Sequence, residues 1–148
     1  MLIISLLGSC DDSYVSSIPT MPVSLKIDLT GKYNRFKNSS YTFLVIDKAE
    51  YDADRLGFAG ILLFSGMLDD FGNSTYYAFD MACTYEISKS AIVLPIEETG
   101  FKVKCNKCGT EYDLSFGLGI PDTTSGPARE VLRKYKVNVN QNFIYVYR

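Results

Sequence analysis

Three cysteines in the second half of the chain are the residues best suited to chemistry: Cys83, then the pair in Cys105-Asn106-Lys107-Cys108-Gly109. A C-x-x-C-G turn closing a strand can aim backbone N–H groups at a sulfur, stabilising a thiolate that holds a metal. One such turn supplies two ligands. A closed site needs a second pair, and the other half offers Cys83 alone. The sequence contains no histidine. That removes Ser-His-Asp and Cys-His catalysis, histidine-ligated zinc hydrolase sites and haem with a histidine axial ligand. Cysteine, carboxylate, tyrosine and lysine chemistry remain.

Plainer readings of the cysteines stand beside this one. Cysteine is among the most often buried residues, so all three can be core residues. In an oxidising compartment Cys83 can pair with Cys105 or with Cys108, leaving one thiol free. Thioredoxin-type exchange needs a βαβ pattern around the C-x-x-C pair, which the sequence lacks. Asp69-Asp70 and Glu97-Glu98 are paired carboxylates, but both fall in turn contexts, where a solvated hairpin tip accounts for them.

The elements that must position the cysteines read as strands. Val23, Leu25, Ile27 and Leu29 alternate with polar residues, the period of a half-buried strand. Further strands are expected over 41–46, 60–67, 76–81 and 110–114, with a helical turn or long loop over 47–57. Segments 91–96 and 100–105 flank Glu97-Glu98-Thr99 as a hairpin, and 135–139 and 143–147 flank Asn140-Gln141-Asn142 as a closing one. A short helix is expected over 128–133. Many short strands with regular turns predict an all-β antiparallel sandwich or barrel.

Hydrophobic content of 47% against 22% charge argues for a folded domain, and a net charge of −2 gives no footprint for nucleic acid. Residues 1–7 form an apolar run too short to span a bilayer, followed by Gly8, Ser9 and Cys10. Leu7-Gly8-Ser9-Cys10 resembles the bacterial lipobox, which implies a signal peptide over 1–9 and lipidation of Cys10. The acidic residues after Cys10 resemble the surface-export signals of Bacteroidetes lipoproteins. The implied organisation is an anchored polar tether over 10–22 and a β domain over 23–148. The location would be the cell envelope, lipid-anchored to the membrane, with an envelope protein or redox partner.

Residues 76–148 together resemble a Rieske [2Fe–2S] domain. The resemblance rests on Cys83-Thr84-Tyr85, Cys105-Asn106-Lys107-Cys108, Gly109-Thr110, Tyr112-Asp113, Gly117, Gly119, Gly126-Pro127-Ala128, Leu132 and the last hairpin. It implies a cysteine-loop region over 81–119. It also implies that Cys83 and Cys105 stand where the inner-iron ligands stand, and Tyr85 and Cys108 where the outer-iron histidines stand. Cys108 is a competent ligand. Tyr85, a phenol, is a rare kind of cluster ligand and a poor one, and Glu86 is a nearby oxygen. Without histidine the raised potential of such centres is lost. The expectation is a non-catalytic structural or binding module isolated with no cofactor. The alternative is an envelope electron-transfer protein with an atypical [2Fe–2S] cluster, and zinc comes third.

Overall fold

Strand β4 (Ile61–Leu68) shows why the chain folds in layers. Ile61 and Leu63 belong to one buried cluster, Leu62 and Phe64 to another. Successive side chains on a strand point to opposite faces, so this apolar run marks a sheet covered on both sides. The structure is a computed structural model, and it describes residues 15–148. The signal peptide expected over 1–9 and the lipidation expected at Cys10 lie outside the described residues.

Around β4 the chain adds β1 (Val23–Asp28), β2 (Thr42–Ile46), β3 (Arg55–Leu56), β5 (Ser74–Asp80), β6 (Val93–Ile96), β7 (Lys102–Cys105), β8 (Glu111–Asp113), β9 (Ile120–Pro121), β10 (Lys134–Asn140) and β11 (Phe143–Tyr147). They form a seven-stranded sheet in the order β2-β4-β5-β10-β11-β1-β3 and a four-stranded sheet in the order β6-β7-β8-β9. Every pairing is antiparallel. The all-β class expected from the periodicity is the observed one. Among the described residues helical structure is limited to one 3-10 turn at Asn34–Phe36.

The larger sheet bends so that Leu25, Ile27, Ile61, Leu63, Ile144 and Val146 face one core. Its other face, carrying Leu62, Phe64 and Phe79, meets the smaller sheet through Val93, Val103, Tyr112 and Leu114. Cys83 and Cys105 are part of that second core. The alternation over 23–29 survives intact: β1 has inward Val23, Leu25 and Ile27 between exposed neighbours. At the β4–β5 tip, Asp69 accepts hydrogen bonds from the Phe71 and Asn73 N–H groups, so this carboxylate serves a turn.

Two expectations change. No helix forms over 128–133. The Ala128 N–H donates instead to Thr110 Oγ1 (3.2 Å) and the Leu132 N–H to the Gly119 carbonyl (3.0 Å), while both side chains enter the core. Six residues make too short a helix to repay its nucleation when tertiary acceptors are at hand. Residues 17–20, within the stretch expected as a polar tether over 10–22, pack on the domain. Ile18 is buried, its carbonyl and the Thr20 hydroxyl accept from the Arg133 guanidinium, and the Ser17 N–H donates to the Glu130 carboxylate.

A buried carboxylate fixes the chain entering the cysteine region. Asp80, at the end of β5, accepts from the N–H groups of Phe58 (2.7 Å), Ala59 (3.2 Å) and Ala82 (2.9 Å) and from the Tyr135 hydroxyl (2.7 Å). With four donors, its burial costs far less than that of an unpaired charge.

Candidate metal centre

The smaller sheet builds the centre. Strand β7 ends at Cys105, the chain turns through residues 106–109 and returns along β8. Two backbone bonds close the turn, from the Gly109 N–H to the Cys105 carbonyl (3.2 Å) and from the Cys105 N–H to the Thr110 carbonyl (2.9 Å). Gly109 has a φ of 77°, the left-handed conformation that glycine adopts without a Cβ penalty. The folded turn points the Lys107 N–H at the Cys105 sulfur (3.4 Å).

Cys83 arrives from the other sheet. Its N–H donates to the Ala91 carbonyl (2.9 Å), so the segment after β5 lies beside residues 90–92. Asn106 clamps that segment to the turn: its Oδ1 accepts from the Ile92 N–H (3.1 Å) and its Nδ2 donates to the Ser90 carbonyl (3.2 Å). The three sulfurs therefore converge, all within 4.8 Å of one another, with Cys83 Sγ and Cys108 Sγ 3.6 Å apart. All three are free thiols; Cys83 and Cys105 are buried and Cys108 is half-buried.

Each sulfur has its own polar neighbour: the Tyr112 hydroxyl for Cys83 (3.5 Å), the Lys107 N–H for Cys105, and the Thr110 hydroxyl for Cys108 (3.2 Å). The Thr84 hydroxyl donates to the Glu130 carbonyl (2.8 Å), so towards Tyr112, 3.0 Å away, it accepts. The Tyr112 proton then points to Thr84, and the Cys83 thiol donates to the phenol oxygen. A thiolate or metal-bound Cys83 reverses that last bond by a rotation of the Tyr112 hydroxyl.

Burial pushes the Cys105 thiol up to about 12, and the proximity of Cys83 adds to the effect, while the N–H groups of Lys107 and Cys108 oppose it. Burial also acts against ionisation of Cys108, but the Thr110 hydroxyl and N–H, with the two neighbouring thiols, outweigh it and hold Cys108 below the ordinary thiol value. Cys108 is both the most accessible thiol of the three and one eased toward the thiolate.

The residues do not fit a Rieske [2Fe–2S] cluster. Such a cluster divides four ligands between two irons. Cys108, which the resemblance sets at an outer-iron position, has its sulfur beside that of Cys83, which it sets at an inner one. Tyr85, which the resemblance sets at the other outer position, is 56% exposed and makes no hydrogen bond to the thiols, and Glu86 is exposed as well. The structure thus brings together Cys83, Cys105 and Cys108 and leaves Tyr85 aside.

Tyr112, Thr110 and Thr84 are the members of the site that sequence reasoning did not assign to the sulfurs. Tyr112 and Thr110 belong to the expected strand over 110–114 and to the motifs of the resemblance, and no spacing rule points a β8 hydroxyl at a sulfur from another sheet. No protein-family model matches the chain, nor does any curated protein. Among solved structures, the chain is similar to one from the complex of reduced oxygenase and oxidized ferredoxin in carbazole 1,9a-dioxygenase. The identity is 18% and the TM-score 0.48, over 84% of this chain and 93% of that one.

Proposed function

We propose that this chain is a non-catalytic, lipid-anchored binding module of the cell envelope whose working part is a three-thiol centre for a soft metal. The observation that carries the reading is the convergence of Cys83, Cys105 and Cys108 from two sheets, each sulfur facing its own hydrogen-bonding group. Soft thiolates select zinc, cuprous copper or iron. The groups that hydrogen-bond the sulfurs are hydroxyls and a backbone N–H, and none is a general base at neutral pH. The anchor rests on Leu7-Gly8-Ser9-Cys10, and the half-buried Cys108 side is where an envelope partner or ligand would meet the centre.

The test is protein purified from membranes without oxygen, analysed for metal and for thiols reactive toward an alkylating agent. The reading expects bound metal and protection of Cys83, Cys105 and Cys108 until a chelator is added. Metal-free protein with a Cys83–Cys108 disulfide, or with all three thiols alkylated once it is unfolded and no metal released, overturns it.

A further inference from the structure

We propose that the centre takes a single closed-shell thiophilic ion, zinc(II) or copper(I), on Cys83, Cys105 and Cys108, with one coordination position open on the Cys108 side. The inference rests on the reading of the triad as a metal centre and names the ion class and nuclearity.

Spacing is the first argument. Thiolates about 2.3 Å from one tetrahedral ion lie about 3.8 Å from each other. The Cys83 and Cys108 sulfurs are 3.6 Å apart, and no pair of the three exceeds 4.8 Å. The span fits ligands that share one ion. Ligands on opposite irons of a two-iron cluster are separated by the full width of the rhomb, and Cys108 would have to swing away from Cys83 to reach the second iron.

The turn is the second. The left-handed Gly109 and the Lys107 N–H aimed at Cys105 fold the C-x-x-C segment so that both of its sulfurs face the same point. Cys83 faces that point from the opposite sheet. With the Tyr112 hydroxyl rotated toward a metal-bound Cys83, it and the Thr110 hydroxyl complete an outer shell of one donor per sulfur, which spreads the negative charge of three thiolates around one cation.

The open position follows from what the neighbouring groups already do. Thr110 Oγ1 bonds Cys108 and accepts from the Ala128 N–H, and the Tyr112 hydroxyl lies between Cys83 and Thr84. Neither is free to close the sphere. Cys83 and Cys105 are 0% and 2% exposed, so solvent and any added ligand reach the ion past Cys108. On binding, three S–H bonds break, three metal–sulfur bonds form and three protons pass to solvent, with no change of oxidation state.

The experiment is an anaerobic titration of the reduced full-length chain with cobalt(II), followed by displacement with zinc(II) or copper(I). Saturation at one cobalt per chain is expected, with intense sulfur-to-cobalt charge-transfer bands that change when a small thiol is added. The ion that displaces cobalt most tightly identifies the class member. Tyr112→Phe should keep the stoichiometry and weaken binding about 10- to 100-fold. Cys108→Ser, a half-exposed change that spares the core, should remove one thiolate from the spectrum. Two cobalt ions per chain, or reconstitution with iron and sulfide to two of each, would overturn the single-ion inference and leave the soft-metal function standing. No binding of any of these ions sinks both.

Discussion

The sulfurs of Cys83 and Cys108 lie 3.6 Å apart although the residues are 25 positions apart in the chain. No strand pairing joins them directly; the Asn106 side chain bridges their segments through Ile92 and Ser90. Replacing Asn106 with alanine removes both bonds from an exposed position, at a cost of about 1 kcal/mol in stability. Metal affinity should fall further than stability does, since the loop carrying Cys83 loses its register with the turn. Paired urea unfolding and metal competition measure the two effects, and equal losses in both would show that Asn106 has no positioning role.

Gly126 packs directly against Thr110, the residue whose hydroxyl bonds Cys108. A Cβ there would stand 2.3 Å from Thr110 Oγ1 and 2.8 Å from Thr110 Cα. Gly126→Ala should cost about 1–3 kcal/mol through overpacking. It should also move Thr110 away from Cys108, so the Cys108 thiol should titrate at higher pH in the metal-free variant. Alkylation rates of that thiol against pH give the measurement.

The alternating residues of β1 and the hairpin around Glu97-Glu98-Thr99 were legible because period and turn residues agreed locally. The convergence of Cys83 on the C-x-x-C turn was legible only through the order of motifs. The segment over 128–133 was misread because its composition suits a helix, while the acceptors that claim its N–H groups lie in Thr110 and Gly119. Tyr112 stayed hidden for a related reason: its hydroxyl reaches Cys83 across the gap between two sheets, a relation with no sequence period.

Tyr135→Phe tests the buried Asp80 anchor. It removes one of four donors from a carboxylate, a loss of about 1.5–3 kcal/mol at neutral pH. Burial pushes the Tyr135 phenol up, and the bond to Asp80 adds to this. A phenol raised above its ordinary value of 10.0 holds its proton more tightly in the folded state, so its stabilisation is complete below that pH and is lost above it. The stability gap between wild type and variant should therefore narrow from neutral pH to about pH 11. A constant gap in urea unfolding across that range would argue against the coupling.

Cys10→Ala tests the anchor. The variant should leave the membrane fraction and appear in the soluble envelope fraction, with the β domain still folded. Membrane retention of Cys10→Ala, together with intact Met1 on the wild-type protein, would contradict lipidation at this position.

X-ray absorption at the edge of the bound metal, on protein purified without oxygen, tests the single-ion thiol centre most directly. The account predicts a first shell dominated by three sulfurs at about 2.3 Å, with one exchangeable ligand and no metal–metal scattering. An iron edge showing a second iron and bridging sulfide, or a shell of nitrogen and oxygen alone, would contradict it.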